Sequence, residues 1–138
     1  MNRPRVRSHV IALAMAIAAA GCSDPLAPFQ PEVNAAPDNF QFQATGLTDV
    51  TTTKQYSWQN SATRATVNHS STVTNGSATV TIRDAAGTQV YTGALVPSAT
   101  PITSAGVAGT WTIIVQLTNT SGTLNFRVQK GGLGPAAA

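Results

Sequence analysis

The sequence predicts an all-β domain, a small antiparallel β-sandwich of seven or eight short strands. Apolar and polar residues alternate with a period of two through most of the stretch from Phe40 to Val128, the pattern of strands with one buried face. Turn signals built on Gly, Asn and Asp punctuate that stretch roughly every ten residues. No segment of useful length beyond Cys22 carries a helical period. Polarity comes from Thr, Ser, Asn and Gln, with only 9% of residues charged, and branched side chains of this kind pack well on a pleated surface. A closed barrel is the alternative architecture for the same pattern.

Phe40, Phe42 and Ala44 alternate with Gln41 and Gln43 and make a first strand that Gly46 ends. Leu47 to Thr53 reads as a threonine-rich connection or weak edge strand. Tyr56 and Trp58 alternate with Gln55, Ser57 and Gln59, and Asn60-Ser61 turns the chain. Ala65 and Val67 alternate with Arg64, Thr66 and Asn68. Asn75-Gly76 reads as a turn, because both residues accept positive φ. Ala78, Val80 and Ile82 form the next strand, and Asp84-Ala85-Ala86-Gly87 closes a hairpin onto Val90 and Tyr91, a strand that stops at Gly93. Pro97 and Pro101 bracket a loop. Trp111, Ile113, Val115 and Leu117 alternate with polar neighbours, Asn119-Thr120-Ser121-Gly122 turns, and Leu124, Phe126 and Val128 return. This last pair is expected to be a hairpin forming the central wall of the core. The body spans residues 38–130, about 93 residues, enough to bury somewhat over 60% of the unfolded surface in one core. Residues 131–138 carry no pattern and read as a disordered tail.

Over residues 76–130, the Asp-x-x-Gly hairpin and the Gly109-Thr110-Trp111 strand followed by a final strand are similar to the bacterial pre-peptidase C-terminal type of domain. That resemblance implies a jelly-roll-like sandwich serving as an accessory, non-catalytic module.

Ahead of the body, Arg3, Arg5 and Arg7 precede an uncharged apolar run of 11 residues, Val10 to Ala20. The run is well under the ~20 residues a membrane-crossing helix needs. With small residues at Ala19, Ala20 and Gly21, residues 1–21 read as a signal peptide. The sole cysteine, Cys22, follows at once. Ala-Ala-Gly-Cys resembles the lipobox of bacterial lipoproteins. The resemblance implies cleavage between Gly21 and Cys22, a diacylglyceryl group on the thiol, and a fatty acyl chain such as palmitate on the new amine. Membrane lipid is then a partner through Cys22, and two or more chains hold stably at roughly 0.8 kcal/mol per buried methylene. Ser23 stands where an aspartate would favour inner-membrane retention, so the expected location is the bacterial cell envelope, at the outer membrane. Residues 22–37, with Pro25, Pro28, Pro31 and Pro37, read as a lipidated cysteine and a Pro-rich linker that reaches about 50 Å at ~3.1 Å per residue.

The formal charge of +3 belongs to the precursor. Beyond Gly21, Lys54, Arg64, Arg83, Arg127 and Lys130 balance Asp24, Glu32, Asp38, Asp49 and Asp84, a net charge of 5 − 5 = 0. Nucleic acid is therefore not an expected partner. With one cysteine, no internal disulfide can form.

No catalytic, metal or cofactor set emerges. His69 is the only histidine beyond the leader, and nothing fixes a serine and a carboxylate beside it as a triad requires. It is expected at a surface or strand end. Asp84 is accounted for by its turn, and Asp38 and Asp49 by element edges. Zinc lacks ligands, and calcium lacks clustered acids. Tyr56 and Trp58 are candidates for ligand stacking, although their shared parity points them toward the core. The function expected is a membrane-anchored, non-enzymatic β-sandwich that binds an envelope protein or glycan. A self-assembling structural subunit and a minor hydrolase are the alternatives.

Overall fold

A computed structural model describes residues 24–131. Residues 1–23, with the expected signal peptide and Cys22, and residues 132–138 of the expected tail lie outside the described residues. The chain is all-β and antiparallel, as the alternation predicts. Its strands are β1 (Glu32–Ala36), β2 (Asn39–Asn60), β3 (Ala65–His69), β4 (Thr72–Arg83), β5 (Gln89–Ala94) and β6 (Gly109–Lys130). They form one sheet in the order β1-β2-β6-β4-β5, with β3 also pairing β6.

The frame is a two-stranded ribbon. β2 and β6, 22 residues each, pair from Asn39↔Gln129 to Asn60↔Gly109. Midway the register slips three times, between Ala44 and Thr52. Gly46, Asp49, Asn119 and Gly122 take positive φ there, and such bulges bend and twist a strand. Beyond the bend the ribbon folds back on itself. Phe40 and Phe42, near the start of β2, stand 5.5 and 6.0 Å from the ring of Tyr56 near its end. The Asp38 N–H donates to the Gln59 carbonyl at 2.8 Å. One folded sheet thereby makes two layers. The first holds β1, the first half of β2, the second half of β6, and β3. The second holds the second half of β2, the first half of β6, β4 and β5.

The inward-facing residues of both layers form one core. Phe40, Phe42, Phe126, Val67 and Val128 come from the first layer, and Trp58, Trp111, Ile113, Val80 and Ile82 from the second. Trp58 and Trp111 oppose each other across the β2–β6 pair and meet edge to face at 6.1 Å and 89°, a favoured arrangement of aromatic rings. Their indole N–H groups donate to Ala36 O at 3.0 Å and Val107 O at 2.7 Å. On one flank, residues 99–104 bridge the layers: Val67 N donates to Pro101 O and Thr103 N to Ala65 O on β3, while Ser104 N donates to Val90 O on β5.

The structure differs from the sequence expectations in three places. First, Asn119–Gly122 is no turn. Both halves of β6 pair with β2 rather than with each other, because β2 carries the same alternation and a matching irregularity. The expected early strands likewise merge into β2, so six strands replace seven or eight. Second, Asn75-Gly76 is a bulge inside β4. Gly76 takes φ +74 against Asn119, where any side chain would strike the Asn119 and Thr118 carbonyls. Third, residues 24–37 are not a free linker. Leu26 is fully buried in the core, Phe29 packs against it, the 3-10 turn Ala27–Phe29 follows, and β1 pairs with β2 from Glu32↔Gln43 to Ala36↔Asn39. The prolines stop a helix without preventing this. Pro28 lies within the 3-10 turn, and Pro31 and Pro37 flank β1, where a missing N–H costs no ladder bond.

Two substitutions test this frame in urea denaturation followed by circular dichroism. Leu26→Ala is expected to cost about 2–5 kcal/mol, the range for emptying a packed leucine site; a neutral result would mean that residues 24–31 float free. Gly122→Ala is expected to cost more than about 1 kcal/mol, because Gly122 takes φ +130 and its added methyl would strike the Thr72 carbonyl.

Candidate functional site

The candidates read from the sequence do not converge. Trp58 is 1% exposed, so its ring offers no stacking platform. Tyr56 is half-buried against Phe40 and Phe42, and burial raises its phenol pKa. The indole is held inside because Trp58 sits on the inward parity of β2 with its N–H already satisfied. His69 ends β3 but is buried, where a surface position was also expected. The Leu95 carbonyl can only accept, so Nδ1 of His69 carries the proton in their 2.9 Å contact.

Asp84 organises its turn. Its carboxylate accepts from Ala86 N at 3.0 Å and Thr88 N at 2.8 Å, and reaches across the loop to Val107 N at 2.8 Å. The Val107 N–H foremost, with those of Thr88 and Ala86, holds the Asp84 carboxyl below the ordinary carboxylate range against desolvation, which raises it. Asp38 accepts from Ser61 N and Oγ at 2.8 and 2.9 Å, and the Ser61 N–H is the main cause of its lowered pKa. Asp49 sits at the ribbon bend, its N–H on Ser121 Oγ. No contact joins His69 to Asp84. Among the described residues no cluster of three His, Cys, Asp or Glu could hold a metal.

What the fold does assemble is the outer face of the first layer. The polar members of four strands fall into rows by register. Asn34, Gln41, Arg127 and Asn68 form one row across β1, β2, β6 and β3, and Glu32, Gln43 and Asn125 form the next. Four strands at about 4.8 Å spacing make a face about 14 Å wide. Between Asn68, Ser70, Asn125 and Arg127 the face dips into a depression of about 150 Å³. The Ser70 N–H donates to the Asn125 carbonyl at 2.9 Å and the Asn125 N–H to Ser71 Oγ at 2.9 Å, so the backbone under the depression is fixed. Among the described residues, the carboxamides of Asn34, Gln41, Gln43, Asn68 and Asn125 and the guanidinium of Arg127 have no side-chain hydrogen bond or ion pair within the chain.

On the outer face of the second layer two polar pairs form, Gln59 with Thr110 at 2.7 Å and Thr81 with Thr92 at 3.0 Å, around a buried Ile114, while the exposed Gln55 and Gln116 have no side-chain hydrogen bond among the described residues. Each residue of the first face was visible as the polar half of an alternating strand. What the sequence lacked was the strand order that brings Asn68, 59 positions from Arg127 in the chain, directly opposite it.

No known protein family, no curated protein and no solved structure matches the chain.

Acid titration tests the carboxylate clasps. Asp84, Asp38 and Asp24 all have folded pKa values below their ordinary ones. Their stabilisation is therefore complete above the unfolded value of about 3.9 and lost as pH falls through the lower folded values. The thermal midpoint is expected to hold down to about pH 5 and to drop below about pH 4. In Asp84→Asn, an amide N–H would face backbone donors. That variant is expected to melt lower at neutral pH and decline less steeply in acid; two parallel curves would remove Asp84 from this role.

Proposed function

We propose that this chain is a bacterial lipoprotein, anchored in the cell envelope through acylated Cys22, and that its β-sandwich is a non-catalytic module binding an uncharged or weakly anionic envelope glycan on the outer face of the first layer. The observation that carries the binding half is the set of unpaired carboxamides around Arg127. A carboxamide both donates and accepts, as a sugar hydroxyl does. Arg127 adds a fork of fixed donors suited to paired oxygens or a uronic carboxylate. Across β1, β2, β6 and β3 the face has no aromatic or large aliphatic side chain, and Ile102 meets it only at the β3 margin; the centre of a protein–protein interface is typically apolar, which favours a glycan over a protein.

The anchoring half rests on the arginine-bearing leader and the Ala-Ala-Gly-Cys stretch. Self-assembly by strand addition is less favoured. The second half of β2, an edge of its layer, carries Lys54 on its inward parity, paired with Asp24 at 2.6 Å, and an inward charge on an edge strand discourages edge-to-edge pairing. At the other edge, β1 is confined between Pro31 and Pro37.

Mass spectrometry of the mature protein tests the anchor. A diacylglyceryl-modified Cys22 is expected, absent in Cys22→Ser; a bare thiol or a retained leader would defeat that half. Affinity electrophoresis through neutral and uronic polysaccharides tests the face. Arg127→Ala and Gln41→Ala are each expected to weaken retardation several-fold, with stability changed by less than about 0.5 kcal/mol as for other surface substitutions. Unchanged mobility shifts in both variants, or capture of a protein in place of a glycan, would reject the glycan site.

A further inference from the structure

We infer that the lipid anchor holds the sandwich flush against the membrane on one flank, the side where β1 and the second half of β2 meet; this rests on the proposed acylation of Cys22. The chain is fixed to the body from Asp24 onward. Asp24 caps the following turn, its carboxylate accepting from Leu26 N at 2.9 Å. Its other oxygen pairs with Lys54 Nζ on β2 at 2.6 Å, and Leu26 is fully buried. Only Ser23 separates Asp24 from Cys22. Two Cα–Cα steps of 3.8 Å span less than about 8 Å, close to the thickness of one headgroup layer. The body therefore has no stalk on which to swing.

The surface beside this attachment suits a lipid headgroup layer. Pro25, Ala27, Pro28, Val33 and Ala35 are exposed there. The charges are the Asp24–Lys54 pair, which neutralise each other, and Glu32. One uncompensated acid makes a zwitterionic surface a better match than an anionic one. The opposite flank is the segment 99–104, which joins β3 to β5. It lies across the layer from β1, beyond β3, four strand spacings or about 19 Å away. With one flank down, both outer sheet faces stand upright from the bilayer, and the amide face around Arg127 stays open to a polymer running alongside it.

The test uses the full acylated protein in phosphatidylcholine–phosphatidylethanolamine vesicles carrying headgroup-nitroxide lipid. Ala27→Cys and Thr100→Cys, both at exposed positions, each supply the one free thiol for a fluorophore. The label at 27 is expected to be quenched at least several-fold more than the label at 100. A Gly/Ser insertion of about twelve residues between Ser23 and Asp24, reaching about 20 Å, is expected to keep the protein on the vesicles and abolish the difference. Equal quenching at both positions without the insertion, or stronger quenching at 100, overturns the flush arrangement while flotation with the vesicles leaves the anchor in place. Failure to float overturns the anchor and this inference with it.

Discussion

Everything in this fold depends on the pairing of β2 with β6. Seventeen registered partners, from Asn39↔Gln129 to Asn60↔Gly109, tie the beginning of the body to its end, and the remaining strands attach to that ribbon. Had the ribbon stayed straight, its apolar face would have remained in water. The bulges between Ala44 and Thr52 and the positive-φ residues Asn119 and Gly122 bend it, so that Phe40 and Phe42 cover Tyr56 on the same strand. The core is thus built by one long strand pair closing on its own apolar side. Thr120 helps fix the bend from within. It is fully buried, and its hydroxyl donates to the Ser77 carbonyl of β4.

The alternation from Phe40 to Val128 reported which side chains point inward, and it did so with few errors, because parity along a strand is a local property. Trp58, Trp111, Ile113, Phe126 and Val128 are buried as their parity requires. Continuity between strands was not local. Asn119-Thr120-Ser121-Gly122 has the composition of a turn, and the same composition serves a bend when a partner strand continues on the far side. Asn75-Gly76 failed in the same way. At the N-terminus, four prolines concealed a docked segment: the deciding residues are Leu26, which joins the core, and Lys54, whose contact with Asp24 spans 30 positions, and neither leaves a periodic trace. The amide face was hidden for a related reason. Gln41, Asn68 and Arg127 become neighbours only once the strand order is known.

The polar groups of this chain fall into two populations. One is engaged within the chain, save for the buried Asn39 Oδ1, without a partner among the described residues: Asp84 across its loop, the partly exposed Asp38 on Ser61, His69 on Leu95, and the two indole N–H groups on backbone carbonyls. These replace the disulfides that a single cysteine cannot form, giving loops fixed ends at the cost of acid sensitivity. The other is external, the carboxamides and guanidinium of the first layer. A buried carbonyl or carboxylate without a donor is costly, so the internal groups are explained by folding alone. An exposed amide is satisfied by water, and folding gives no reason for five of them to gather around one arginine.

The placement of β6 has a kinetic consequence. It is the last of the six described strands and the one that β2, β3 and β4 all require. Asn39 must find Gln129 across nearly the whole length of the body, a non-local closure that slows folding. An emerging N-terminal half has β1 and β2 but no neighbour for the inner edge of either half of β2. Such a polypeptide stays unfinished until the 22 residues of β6 are free to pair, so its core closes only when the last of the described strands arrives.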